Sequence, residues 1–178
     1  MRFSLRLTLH SATSPGHFMN FTWELKLAIE KWVQPTLEQL TDHMNSEQRQ
    51  AFRDKLQRYV QKPNRDLILA VRGSQVLGLI CVIDQGRFPP GLSVKNTEYL
   101  RNFACGTQVL VHPTCRRRGI GGSLLTQAEN WARRRGLAGL WVITHRMSHW
   151  YEKNFGYQQI SRIEVQGVAK TLMAKKFD

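Results

Sequence analysis

Arg116-Arg117-Arg118-Gly119-Ile120-Gly121 is the stretch of this chain best equipped to hold an anion. Ahead of it lies the apolar, β-prone run Thr107-Gln108-Val109-Leu110-Val111. Behind it Leu124, Leu125, Ala128, Trp131 and Ala132 recur on one helical face. The order is therefore strand, glycine loop, helix. A helix start leaves backbone N–H groups without partners at the positive end of the helix dipole. A glycine turn there, continued by Gly122-Ser123, lets a phosphate sit against the main chain. Two familiar phosphate loops do not fit. The glycines are not followed by Lys-Ser/Thr, which excludes a Walker loop. A dinucleotide loop would want a third small residue where Leu124 stands and a ribose-binding acid where Leu140, Trp141 and Val142 stand.

What the stretch resembles is the acyl-CoA loop of the GNAT superfamily of N-acetyltransferases. That loop has Arg or Gln, two free positions, Gly, one free position, then Gly or Ala, and Arg116, Gly119 and Gly121 meet it. Val111-His112-Pro113 looks like the Val-x-Pro that leads into the loop, and Leu124-Leu125 like the pair that opens its helix. A second segment matches independently: Trp150-Tyr151-Glu152-Lys153-Asn154-Phe155-Gly156-Tyr157 is similar to the family's Phe-Tyr-Glu-Lys-x-Gly-Phe, with one residue extra between the tyrosine and the glycine. The resemblance implies an α/β (α+β) GNAT fold, with a central mixed, mostly antiparallel sheet of about seven strands flanked by helices. It also implies a splayed strand pair holding CoA. Acetyl-CoA is then the acetyl donor, held by Arg116, Arg117, Arg118, Gly119, Ile120, Gly121, Gly122 and Ser123. A backbone N–H near Leu110 or Val111 is implied as the donor to the acetyl oxygen, an interaction worth about 3 kcal/mol in the transition state.

Acyl transfer to an amine sets two proton problems. A lysine-like amine with a pKa near 10.4 is only about 0.04% neutral at pH 7, so a base or a desolvating pocket is needed. A departing CoA thiolate needs an acid, and a tyrosine hydroxyl can donate to it. Tyr151 suits that role, which the resemblance also assigns to the tyrosine of this segment; the alternative is a tyrosine that only packs. The base is not legible: Phe103 to Val111 contains no acid, and Glu98, Asp84 and His145 are candidates only by nearness in sequence, with a water relay equally open. His145 and His149 are spaced i, i+4 but lack a third ligand, so no metal is expected.

These groups must be positioned by the rest of the chain. Phe3, Leu5, Leu7 and Leu9 alternate with polar residues and predict a first strand, although the acid-free composition of Met1 to Trp23 can also mark a targeting segment. Leu25, Ala28, Ile29, Trp32 and Val33 predict a helix stopping near Pro35, which can itself open a further turn. Asn45 with Gln48 predicts a capped helix carrying Phe52, Leu56, Tyr59 and Val60, ended by Lys62-Pro63-Asn64. Asp66 to Arg72 and Gln75 to Asp84 predict a hairpin about Gly73-Ser74. A loop follows over 85–98, and then the strand into the glycine loop. The helix after that loop ends at Arg133-Arg134-Arg135, where three cations suit its dipole. A strand to Thr144, a short helix about Tyr151 and two final strands complete the chain.

With 178 residues, 42% of them apolar, the chain predicts one domain spanning 1–178. Its net charge of +13 predicts anionic company: a polyphosphate cofactor, nucleic acid or an acidic protein. Residues 104–178 hold 12 Lys/Arg against 4 acids and residues 1–103 hold 14 against 9, so the excess gathers around the loop. Three cysteines without a CxxC predict a reducing, cytoplasmic compartment, and no apolar run is long enough to span a membrane. The expected activity is acetyl transfer from acetyl-CoA to a primary amine of a protein or small molecule. Two readings compete: a catalytically inactive GNAT-fold protein that binds a partner, and a nucleic-acid or ribosome-associated module.

Overall fold

The computed structural model describes residues 24–27, 33–84, 98–165 and 167–178. Seven strands among them form one sheet: β1 (Glu24–Leu27), β2 (Arg65–Arg72), β3 (Gln75–Ile83), β4 (Phe103–Val111), β5 (Gly139–Thr144), β6 (Gln158–Val165) and β7 (Val168–Lys176). Their spatial order is β1-β2-β3-β4-β5-β7-β6. Every neighbouring pair is antiparallel except β4 and β5. This is the mixed, mostly antiparallel sheet expected.

The helices are α1 (Val33–Leu40), α2 (Ser46–Gln61), α3 (Ile120–Arg134) and α4 (Ser148–Phe155). Central strands β2 and β3 read as nearly continuous apolar runs because both their faces are covered. On one face Leu67, Leu69, Val71, Leu79 and Cys81 pack against Leu37, Phe52, Leu56 and Tyr59 of α1 and α2. On the other, Ile68, Ala70, Leu77, Ile80 and Val82 meet Ile120, Leu124, Leu125, Ala128 and Trp131 of α3. A third cluster under β5 and β7 gathers Leu100, Phe103, Cys105, Trp141 and Leu172.

Local signals account for most boundaries. The Asn45 side chain accepts from the Gln48 amide at 2.8 Å, and the Gln48 side chain accepts from the Asn45 amide at 3.2 Å. This reciprocal cap is worth about 1 kcal/mol. The hairpin turns at Gly73-Ser74 as predicted, and α3 closes at Arg135-Gly136.

One expectation is corrected. The stripe from Leu25 to Val33 predicts a helix, but Glu24–Leu27 is a strand paired antiparallel with Val71–Ile68 of β2. Leu25 and Leu27 satisfy a two-residue period as well as a helical one, and pairing with β2 supplies hydrogen bonds that an isolated helical turn would not. Residues 28–32 of that stripe lie outside the described residues, and the described helix Val33–Leu40 includes Pro35. Proline is tolerated there because first-turn amides have no partner to lose. The predicted strand over Phe3 to Leu9 and most of the 85–98 loop lie outside the described residues. No helix among the described residues is long and apolar enough to cross a membrane.

Candidate functional site

The site begins where β4 leaves β5. The two strands pair only from Phe103↔Gly139 to Gly106↔Val142, while β4 stays on β3 as far as Gly78↔Val111. The pairing with β3 shifts register between Leu79 and Cys81, and Gln108 takes a left-handed φ of 56°. A bulge of this kind re-aims the strand. It holds a non-glycine residue in a conformation costing on the order of 1–3 kcal/mol. From Thr107 onward the β5-facing edge of β4 is therefore open. A cleft of about 720 Å³ lies there, lined by Gly106 and Gln108–Val111 of β4, the loop and first turn of α3, Val142–His145, and Met147, Trp150 and Tyr151.

One wall is the start of α3. A single 3-10 turn, Pro113–Cys115, buries Cys115 and turns the chain, after which Arg117 (φ 61°) and Gly119 (φ 78°) are both left-handed. Gly119 is the N-cap and has no side chain to offer. The first helical bond runs from the Ser123 amide to the Gly119 carbonyl at 3.0 Å, so the amides of Gly119, Ile120, Gly121 and Gly122 precede the ladder. Ile120, 1% exposed, anchors this turn in the core. A Cβ on Gly121 would meet only a Val111 methyl, at 3.7 Å, so the space beside these amides is open. The Arg116 Nε donates to the Val111 carbonyl at 3.3 Å.

The facing wall is α4. Its start is tied to the end of β5 by the Met147 amide, which donates to the Thr144 hydroxyl oxygen at 3.1 Å. Tyr151 is 7% exposed and packs edge-on to Trp150 at 5.0 Å and to Tyr157 at 5.4 Å between ring centres. Burial raises its hydroxyl to about 12, so it remains a proton donor through the neutral range. The extra residue in this segment is taken up by helix: α4 runs to Phe155 and closes on Gly156, whose amide reaches back to the Glu152 and Tyr151 carbonyls.

The structure brings Leu110, Val111, Arg116, Arg117, Gly119, Ile120, Gly121, Gly122 and Tyr151 to one cleft; Arg118 and Ser123 are not on its wall. Ser123 spends its amide inside the helix. Of the base candidates, Glu98 is exposed and paired with Arg101 at 2.6 Å, and Asp84 lies 3.6 Å from Arg135. His145 alone of the three lines the cleft. Sequence reasoning missed Gln108, Thr144, Met147 and Trp150. Trp150 adjoins Tyr151 in the recognised segment, but nothing in the β-prone run around Gln108 signals a left-handed residue. Among the described residues no three His, Cys, Asp or Glu side chains could hold a metal ion.

The model of the acetyltransferase (GNAT) family matches residues 27–157, and the chain belongs to that family. Solved structures agree in fold. The PaiA N-acetyltransferase from Thermoplasma acidophilum, in complex with coenzyme A, is 16% identical over 88% of this chain and 100% of its own, with a TM-score of 0.63. An aminoglycoside 6′-N-acetyltransferase complexed with coenzyme A is 14% identical over 85% and 96%, also at 0.63. A GNAT-family acetyltransferase from Staphylococcus aureus Mu50 is 12% identical over 87% and 99%, again at 0.63. No curated protein matches the chain significantly.

Proposed function

We propose that this protein is an acetyl-CoA-dependent N-acetyltransferase that acetylates a primary amine. The observation that carries the reading is a single cleft with an uncapped, glycine-lined helix start on one wall and a buried tyrosine hydroxyl on the other. The free amides of Gly119 to Gly122 and the guanidinium groups of Arg116 and Arg117 fit a pyrophosphate. The open edge of β4, from Gln108 to Val111, offers main-chain groups to the amides of a pantetheine arm, in place of the β5 strand that has left. When bound, acetyl-CoA supplies an activated acyl thioester.

The chain's own residues then have separable tasks. The His112 amide donates to the Leu77 carbonyl of β3, so by strand alternation the Leu110 amide also faces β3 and the Val111 amide faces the gap, where a backbone N–H can stabilise charge developing on an acyl oxygen. Trp150 and Tyr157 hold the Tyr151 ring, and burial keeps its hydroxyl protonated, ready to donate to a departing sulfur. His145 is the cleft-lining group able to take a proton from the amine. We take residues 1–178 as one unit working in the cytoplasm; the buried free thiols of Cys81, Cys105 and Cys115 support a reducing compartment.

Calorimetry with CoA, followed by acetyl-CoA and a cell lysate with mass spectrometry of the products, tests the reading. Binding together with new acetylated amines is expected. Among the described residues no carboxylate lies along β4 or the cleft wall, which favours a second reading, a GNAT-fold protein that binds CoA without catalysis. CoA binding with no acetylated product would select it.

A further inference from the structure

The sheet parts beyond Gly106, so a thioester lying in the gap can be approached from two faces. The α3 face holds the cleft lined by the loop, the helix start and α4, where the cofactor is proposed to lie. The other face is fronted by α2, whose Tyr59 hydroxyl shares a 2.9 Å hydrogen bond with Thr107, the first β4 residue beyond the paired segment. Around that tyrosine stand two cations: the Lys55 Nζ is 5.9 Å, and the Arg65 guanidinium 5.6 Å, from the ring centre. Both side chains are half-buried, and the Arg65 Nε is buried without a hydrogen-bond partner. The other groups facing the tyrosine, Cys81 of β3 and Cys105 and Thr107 of β4, carry no negative charge at neutral pH.

The carboxylates nearest in the fold pair with other cations. Asp66 and Asp84 share Arg135 and Glu98 pairs with Arg101, and none of the three forms an ion pair with Lys55 or Arg65. No Asp or Glu lines the cleft among the described residues. Two half-buried positive charges flanking one ring, with no ion pair among the described residues, are costly unless a ligand brings a counter-charge. The same field disfavours a protonated amine close by, which helps to deliver the neutral nucleophile in a cleft whose described lining includes no carboxylate.

We propose that the acceptor is an amine that also carries carboxylates, recognised by Lys55 and Arg65 across Tyr59, and that polycationic amines are disfavoured. The proposal rests on the acetyltransferase reading and names its substrate class. An aminoglycoside-like polycation, the acceptor named for one structural neighbour, would bring several positive charges to this cationic face.

The test uses the full chain with four amine probes: a peptide with a free α-amine followed by three glutamates, its three-glutamine counterpart, free glutamate and spermidine. Thiol release gives kcat/KM, and fluorescence anisotropy gives peptide binding to the CoA complex. The glutamate peptide should exceed the glutamine peptide at least tenfold in kcat/KM and in binding, with spermidine poorest. Free glutamate shows whether one amino acid suffices or a peptide is required. Lys55→Met and Arg65→Met should each cut the glutamate-to-glutamine ratio at least threefold without changing CoA affinity. Lys55→Arg should keep the ratio, which separates lost charge from lost folding. A parental ratio near one, faster turnover of spermidine, or a ratio unchanged in the double variant overturns the proposal. If no probe is turned over, a CoA complex that binds the two peptides equally also overturns it. Failure to bind CoA at all would instead remove the acetyltransferase reading.

Discussion

Helix α3 has three consecutive arginines at each end, and Arg116 and Arg117 meet a different fate from Arg133 and Arg135. At the C-terminus Arg135 lies 3.3 Å from Asp66 and 3.6 Å from Asp84, donates to the Pro63 carbonyl at 3.1 Å and stacks over Trp131 at 4.4 Å. Arg133 covers the Phe177 ring at 4.0 Å and sits 3.7 Å from Glu129. These cations face the negative end of the helix dipole and are spent on the protein itself. At the N-terminus Arg116 and Arg117 face the positive end, make no ion pair among the described residues, and flank amides that nothing caps. Left alone, each charge there is unfavourable by about 0.3–1 kcal/mol. An arginine triplet therefore carries no meaning by itself: Arg133 and Arg135 meet counter-charges within the fold, whereas Arg116 and Arg117 have no ion pair among the described residues and are the cations proposed to meet an anion from outside.

Charge reversal should break the symmetry most visibly. Arg116→Glu with Arg117→Glu removes two charge-assisted contacts worth about 1.5–3 kcal/mol each, so CoA affinity should fall at least a hundredfold in calorimetry. Arg133→Glu with Arg135→Glu should leave that affinity within about twofold and lower the Tm instead.

Next in size is a change on the far wall. Tyr151→Phe should lower kcat roughly a hundredfold at saturating acetyl-CoA while leaving CoA affinity unchanged, because one oxygen is lost and the seat is untouched. Turnover within threefold of the parent would make Tyr151 a packing residue. Since its hydroxyl titrates at about 12, the neutral donor form persists through pH 10, and this group should cause no alkaline fall in kcat between pH 8 and 10. Losing the proton is what would slow the reaction, and that loss lies above this window.

The smallest effect expected is at the spent end. Arg135→Met removes partly exposed ion pairs, each worth about 0.2–1 kcal/mol, and should shift the Tm by only a few degrees in a thermal melt. A change in CoA affinity in this variant would show that the two ends are not independent.

Much of this arrangement was legible in the chain because its signals are local. Asn45 with Gln48, Gly73-Ser74, the glycines from 119 to 122 and Gly136 each act through their own backbone, so the capped helix, the hairpin and both ends of α3 follow from short stretches. The failures are non-local. Leu25 and Leu27 fit a helical and a strand period alike, and only the unpaired edge of β2 decides between them. The bulge at Gln108 depends on how β4 matches β3 and departs from β5, which no property of glutamine announces. The same holds for the pairing of Tyr59 with Thr107, 48 residues apart. Of the proposed seat, Arg116, Arg117 and Gly119 to Gly122 line the cleft as the loop suggested, and Arg118 does not. The limit at Ser123 was not readable, because that amide is claimed by the helix ladder, which is set by where the first turn begins.

If the start of α3 holds the phosphates of CoA against its backbone, Gly121→Val must weaken that binding. The parent fold tolerates a Cβ at this position, with only a Val111 methyl at 3.7 Å, so the substitution fills the ligand's space and spares the core. A calorimetric titration with CoA at fixed salt, paired with a thermal melt, should show affinity at least tenfold weaker at an unchanged Tm. Parental affinity in the folded variant would contradict the claim.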